Sequence, residues 1–188
     1  MYLFLVPLLI GFALAGLSAF TTASARRWGA KAGMTVTFVL RNILGIPLFI
    51  IGAVLAWTSG APFLFAPNKI TRLAALFLII AGAVVFVWGH INIGRPSHMP
   101  SIDDALVSDG LYAYVRHPIY SGGMVLLIGL MLMRPSITWA LGCVLAIIWL
   151  VIQARLEEMD LLQRIPSYRD YMLTVPRFSP RMSLKNKE

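Results

Sequence analysis

Long apolar runs separated by short polar stretches dominate the chain. A helix that crosses the hydrocarbon layer of a bilayer needs about 20 predominantly apolar residues. Residues 2–25 meet that requirement, as do 36–58 and 71–90. Residues 119–133 form a shorter run, and 137–153 form a fifth. Gly60, Pro62 and Pro67 mark a loop between the second and third runs. Pro47 falls inside the second run, where a packed bundle tolerates a kink. Arg134, Pro135 and Ser136 leave room only for a tight turn, so the last two runs read as a helical hairpin. No breaker interrupts the fifth helix until Pro166. At 1.5 Å per residue it extends roughly 43 Å, beyond the ~30 Å hydrocarbon core. Its last turns, with Glu157 and Glu158, then stand in the aqueous or headgroup layer. The expected fold is an all-α integral membrane protein of five transmembrane helices in one domain, residues 1–188.

Composition agrees. Only 13% of residues are charged, against about a quarter in soluble domains. The first run ends in Ala23-Ser24-Ala25, as a cleaved leader does, but no basic residue precedes it. It also exceeds the roughly 7–15 residues of a leader core, so the expectation is a retained first helix. With five crossings, residues 26–41, 95–116 and 155 onward share one side. That side holds 13 of the 16 lysines and arginines, including Arg95, Arg181, Lys185 and Lys187; Lys69, Arg72 and Arg134 lie opposite. The excess marks the cytoplasmic side, with the N-terminus outside and the C-terminus in the cytoplasm. These basic residues flank apolar runs and do not form a nucleic-acid face. No Asp or Glu precedes Asp103, and none falls inside an apolar run. A proton-coupled exporter of cations needs an intramembrane carboxylate, so that class is disfavoured. Cys143, the one cysteine, lies in an apolar run and offers neither a disulfide nor a metal set.

The candidate chemistry lies in two blocks. Residues 106–120 read L-V-S-D-G-L-Y-A-Y-V-R-H-P-I-Y, a polar and aromatic segment at the mouth of a bundle. Asp109-Gly110 signals a turn, and Gly110 takes positive φ at little cost. Pro118 suits the first turn of a helix, and it pushes His117 toward an extended conformation. That helix N-terminus together with Arg116 suits an anion such as a carboxylate. The simpler alternative is an interfacial belt of Tyr112, Tyr114 and Tyr120 with a snorkelling Arg116. The second block is Arg155-Leu156-Glu157-Glu158. Asp160 and Arg164, four residues apart, read as a helix-surface pair. His90 reads as interfacial, and neither it nor His98 has an assigned role.

The pattern L-V-x-x-G-x-Y-x-x-x-R-H-P-x-Y, followed after a hairpin by Arg-x-Glu-Glu, resembles the isoprenylcysteine carboxyl methyltransferase family and the related phospholipid methyltransferases. Tyr168-x-x-Tyr171 and Val175-Pro176-Arg177-Phe178-x-Pro180 are similar to that family's tail. The resemblance covers residues 104–180. It implies a membrane enzyme that uses S-adenosyl-L-methionine, bound in a cytoplasm-facing pocket made by the hairpin, the preceding loop and the tail. By position, Leu106 and Val107 would line that pocket and Tyr112 would pack on the cofactor. Arg116, His117, Pro118 and Tyr120 would surround it, and Glu157 would face its charged methionine end. Arg155 and Glu158 are the candidates for the catalytic side. Asp104 stands where the eukaryotic isoprenylcysteine enzymes have a histidine. Gln153 stands where they place a substrate-contacting arginine, and Arg155 is the nearest arginine.

The methyl acceptor stays open among a prenylated cysteine, a phospholipid amine and a small thiol or carboxylate. The expected partners are the lipid bilayer and a lipophilic or small acceptor. The alternatives are a phospholipid N-methyltransferase of the same fold and a non-catalytic membrane scaffold, which would bind no cofactor.

Overall fold

The computed structural model describes residues 2–94, 96 and 99–180. His98, Arg95, Arg181, Lys185 and Lys187 lie outside the described residues. Regular structure among the described residues is helical, apart from one bridge between Phe63 and Ser136.

Helix α1 (Leu5–Leu17) and helix α2 (Thr21–Trp28) occupy the first apolar run. They are not the one straight span expected over residues 2–25, because the chain bends by 65° between them. Polar groups hold the bend. Ser18 Oγ bonds back to the Ala15 carbonyl, and the Thr22 amide donates to Asp160 Oδ1 at 2.8 Å. A fold-level contact therefore sets this break where no proline or glycine signals one.

Residues 30–58 form one long helical stretch. It comprises α3 (Ala30–Phe38), a π-helix (Val39–Gly45) and α4 (Ile46–Thr58). It starts six residues before the expected boundary, since Lys31 and Thr35 are polar yet helical. The wider π turns end just before Pro47, whose ring would otherwise crowd the carbonyl four residues earlier.

Helix α5 (Lys69–Ile93) opens with a capping box in which Asn68 and Thr71 exchange side-chain bonds with each other's amides. Helix α6 (Pro118–Met133) packs along α5 with backbone nearly touching backbone. A Cβ on Gly82 would sit 2.4 Å from the Leu126 amide nitrogen, and one on Gly122 would sit 2.5 Å from that of Phe86. Small residues serve this purpose in membrane interfaces, where dispersion replaces the hydrophobic effect as the force between helices.

Helix α7 (Ile137–Arg164) is the axis of the molecule and touches α1, α2, α4 and α6. It ends at Ile165, just before Pro166, as expected. At the end opposite the candidate site, the Leu64 amide bonds to the Pro135 carbonyl and Arg134 lies over the rings of Trp57 and Phe63. Among the described residues, three stretches are long and apolar enough to cross a membrane, and the bent α1–α2 pair would make a fourth. Helix α6, with 16 residues, is shorter. The short helix α8 (Tyr168–Thr174) follows α7 and begins the tail.

Candidate functional site

A cavity of about 530 Å³ runs along one face of α7. The lining positions on α7 are Ala146, Trp149, Leu150, Gln153, Glu157, Asp160, Leu161 and Arg164. Their three- and four-residue spacing is that of a single helix face, and from Ala146 to Arg164 it extends roughly 27 Å. Polarity changes along it. Up to Leu150 the walls are apolar, with Phe12, Phe49, Phe86, Leu126 and Leu127 facing the cavity. From Gln153 onward they carry charge.

Glu157 centres the polar half. Its Oε1 accepts from Arg41 Nη2 at 2.8 Å, the Tyr120 hydroxyl at 2.6 Å and Gln153 Nε2 at 3.1 Å. All three bonds fall on one oxygen, and Oε2 takes no hydrogen bond among the described residues. Gln153 Nε2 also reaches the Ala15 carbonyl, so two acceptors fix the orientation of the amide. That orientation leaves Gln153 Oε1 buried without a partner. Arg41 arrives from the π-helix and also donates to Ser18 Oγ.

Glu158, one residue on, points elsewhere. It is 3% exposed and does not line the cavity. Its oxygens accept from Arg116 Nε at 3.0 Å, His117 Nε2 at 3.1 Å and Arg177 Nη2 at 2.6 Å. Glu158 holds the Arg177 guanidinium above its ordinary pKa. Arg116 Nη1 donates further to the carbonyls of Met172 and Val175. The tail then lies against residues 116–117, with the Arg116 amide bonded to Pro176 O and the His117 amide to Arg177 O. Ser121 donates to Phe178 O, and the Tyr171 hydroxyl donates to Tyr112 O. Burial pushes the pKa of Tyr171 up to about 12 and raises those of Tyr112 and Tyr168 as well. These hydroxyls therefore stay neutral, and that of Tyr171 serves as a donor.

The turn before α6 is as expected. Gly110 has φ +54° and sits against Asn92, and His117 caps α6 with φ −127° while Pro118 occupies the first turn. The His117 ring stacks on Tyr120 with centroids 5.5 Å apart.

The structure brings Leu106, Val107, Tyr112, Arg116, His117, Tyr120 and Glu157 to the cavity wall. Pro118 is buried behind it, as Glu158 is. Arg155 is exposed on another face of α7 and is not brought to this group. Asp160 and Arg164 are not a surface pair. Asp160 is 3% exposed, and Arg164 bridges Asp160, Asp104 and the Ser101 carbonyl at the cavity edge. His90 lines the cavity, with Nδ1 held by the Phe86 carbonyl at 2.9 Å. That carbonyl only accepts, so the proton is on Nδ1.

Arg41 and Arg177 are members of the site that sequence reasoning missed. Arg41 had a signal, since an arginine lies five residues inside an apolar run. Arg177 stood only within the tail motif. Among the described residues, no group of three His, Cys, Asp or Glu side chains is placed to hold a metal ion.

The residues present fit a cationic, amphipathic cofactor such as S-adenosyl-L-methionine. Glu157 offers an unused carboxylate oxygen, Gln153 an unpaired acceptor beside it, and Tyr112 and Tyr120 aromatic surface on the same wall.

The chain is 36% identical over 86 residues to the nickel-cobalt-cadmium resistance protein NccN of Alcaligenes xylosoxydans xylosoxydans. That match covers 44% of this chain and 39% of the relative, so the chain spans about two fifths of the length of the curated protein it matches. No solved structure matches the chain. The family model described as Phospholipid methyltransferase matches residues 70–169, more than half of the chain and both blocks that line the cavity. The chain belongs to the phospholipid methyltransferase family.

Proposed function

We propose that this protein transfers a methyl group from S-adenosyl-L-methionine to a lipophilic acceptor that enters from the bilayer. One observation carries the reading. A single continuous cavity joins a carboxylate-bearing polar half to an apolar half lined by aromatic side chains. Bound there, the cofactor would supply an electrophilic methyl group. Glu157 presents its free oxygen to an ammonium group. Tyr112 and Tyr120 present ring faces that attract cations. Glu158 acts at one remove: it holds Arg116 and His117 in place and fastens the tail across the polar half. The apolar half faces the gap between two packed units, α5 with α6 and α1 with α4. Ile46 and Ile50 from one unit and Phe86 from the other line it, a suitable entrance for an acyl or prenyl chain. The protein needs little acid–base machinery for such a displacement; aligning the reactants and excluding water provide most of the rate.

The proposed topology has five crossings, with α6 as the short fourth, and the polar half on the cytoplasmic side where the cofactor is available. A methyl-label transfer assay with a membrane lipid extract and with small thiols tests the function. Label in the lipid phase is the expected result. No transfer to either acceptor class, together with no cofactor binding, would leave the scaffold reading. A tag-accessibility map tests the topology, and an external C-terminus would refute it.

A further inference from the structure

We propose that His90 is a catalytic residue of this site: its Nε2 takes the proton that the methyl acceptor must lose. The inference rests on the methyltransferase reading and deepens it by giving a residue to the one proton transfer that such a displacement calls for.

Three observations lead there. The first is the state of the ring. His90 Nδ1 meets the Phe86 carbonyl, four residues back on α5, at 2.9 Å. A carbonyl only accepts, so Nδ1 carries a proton, and in the neutral ring Nε2 is then a bare acceptor. The Phe86 ring lies against the imidazole with centroids 4.5 Å apart and fixes its orientation further. No described residue forms a hydrogen bond to Nε2.

The second is its place. Phe86, His90 and Ile93 share one face of α5 and line the cavity. Phe86 belongs to the apolar half, and His90 lies about 6 Å further along the helix. Its neighbour Gly89 packs on Ile119, where a Cβ would sit 2.8 Å from Ile119 Cγ1 and 3.1 Å from its amide nitrogen. The imidazole therefore stands beside the first turn of α6. That turn carries Tyr120, whose hydroxyl bonds Glu157. An acceptor whose chain fills the apolar half presents its head at this level. A cofactor anchored on Glu157 meets it there from the polar side.

The third is how the other groups of the wall are used. Arg164 holds Asp104 and Asp160. Arg41 matches Glu157, whose second oxygen is kept for the cofactor. Glu158 ties down His117 through Nε2. His90 has no such partner.

A thiol or an amine is mostly protonated at neutral pH, and the deprotonated form is the nucleophile. In the proposed step the acceptor's S–H or N–H proton passes to Nε2. The electron pair left on sulfur or nitrogen forms the bond to the methyl carbon. The bond from that carbon to the sulfonium breaks, and its pair stays on the cofactor's sulfur. The proton then leaves Nε2 for water at the cavity mouth. An acceptor that is already ionised makes no use of His90.

The test uses the full-length protein in nanodiscs, with wild type and two variants. His90→Asn keeps an amide nitrogen near the place of Nδ1 and removes Nε2. His90→Gln keeps a polar atom near the place of Nε2 but no base. Nitrogen-15 spectra of labelled histidine read the tautomer. The chain has three histidines, and the signals lost in both variants are those of His90. The expected resting state is a protonated Nδ1 and a bare Nε2. Methyl transfer from labelled S-adenosyl-L-methionine is then measured with dodecanethiol, dodecylamine and 4-octylbenzenethiol, an aryl thiol that is ionised at neutral pH. Wild type is expected to methylate dodecanethiol, dodecylamine or both. Each variant is expected to lose that rate by about 100-fold or more, to methylate the aryl thiol at a rate close to wild type, and to bind the cofactor within about twofold of wild type. A proton on Nε2 in the resting protein would overturn the proposal. So would variants that methylate dodecanethiol and dodecylamine as fast as wild type. Equal losses with alkyl and aryl thiols would overturn it too, because they mark a structural role. A tenfold loss of cofactor affinity would do the same by placing His90 in cofactor binding. A wild type that binds the cofactor but methylates none of the three probes refutes this inference alone. Absence of cofactor binding refutes the methyltransferase reading as well.

Discussion

Glu157 and Glu158 are adjacent on α7, yet their surroundings differ completely. Glu157 lines the cavity and gathers its three donors on one oxygen, leaving the other for a ligand. Glu158 lies about 100° further round the helix, outside the cavity. There it neutralises Arg116 and Arg177 and ties residues 116–117 to the tail. One acid meets the ligand and the other holds the wall against which the ligand binds. A carboxylate pair at the end of a helix is thus not one functional unit; each member's role follows from the face it occupies.

The comparison breaks most visibly at Glu158. Glu158→Ala leaves two arginines of the clasp without their carboxylate, and the Arg116 side chain is only 8% exposed. Removing one member of a buried pair costs about 3–5 kcal/mol, so a large fall in thermal midpoint is expected, with tail release seen by limited proteolysis. Glu157→Gln should act chiefly on the ligand. Loss of a charged hydrogen bond of ~1.5–3 kcal/mol weakens cofactor binding by about 10- to 100-fold, while the midpoint falls less than for Glu158→Ala, since the Arg41–Glu157 pair is partly exposed and the amide keeps an acceptor oxygen.

The tail gives a smaller effect. Tyr171→Phe removes one bond to the Tyr112 carbonyl, worth about 0.5–1.5 kcal/mol. Burial raises the folded pKa of Tyr171 to about 12. The contribution of the neutral hydroxyl is therefore complete below its ordinary value of about 10 and is lost as pH rises through the folded value. Thermal melts between about pH 9 and about pH 12 should show this loss in wild type and a shallower one in the variant. Arg155→Ala is the smallest change. Its side chain is exposed and reaches neither acid, so stability should move by under ~0.5 kcal/mol and cofactor affinity should not change. A clear loss of affinity there would return Arg155 to the site.

The sequence makes some of this legible and hides the rest for physical reasons. Apolar runs show where helices lie, because bilayer thickness and helix rise fix their length. Gly110, Pro118 and Pro166 set local backbone, so the turn, the start of α6 and the end of α7 can be read directly. The bend between α1 and α2 depends on Asp160, 138 residues from Thr22, and no local pattern contains it. Burial of Asp160 and Arg164 is hidden similarly, since four-residue spacing describes a surface pair equally well. The difference between Glu157 and Glu158 could have been read from periodicity. Of the positions three or four residues from Glu157, Gln153, Asp160 and Leu161 line the cavity; of those three or four from Glu158, Leu161 alone does.

The most direct test of the central claim is an equilibrium binding isotherm for labelled S-adenosyl-L-methionine, with wild type, Glu157→Gln and Arg155→Ala side by side at matched thermal midpoints. The account predicts saturable binding to wild type, the same affinity for Arg155→Ala, and a loss of about tenfold or more for Glu157→Gln. Equal affinity in wild type and Glu157→Gln would contradict it.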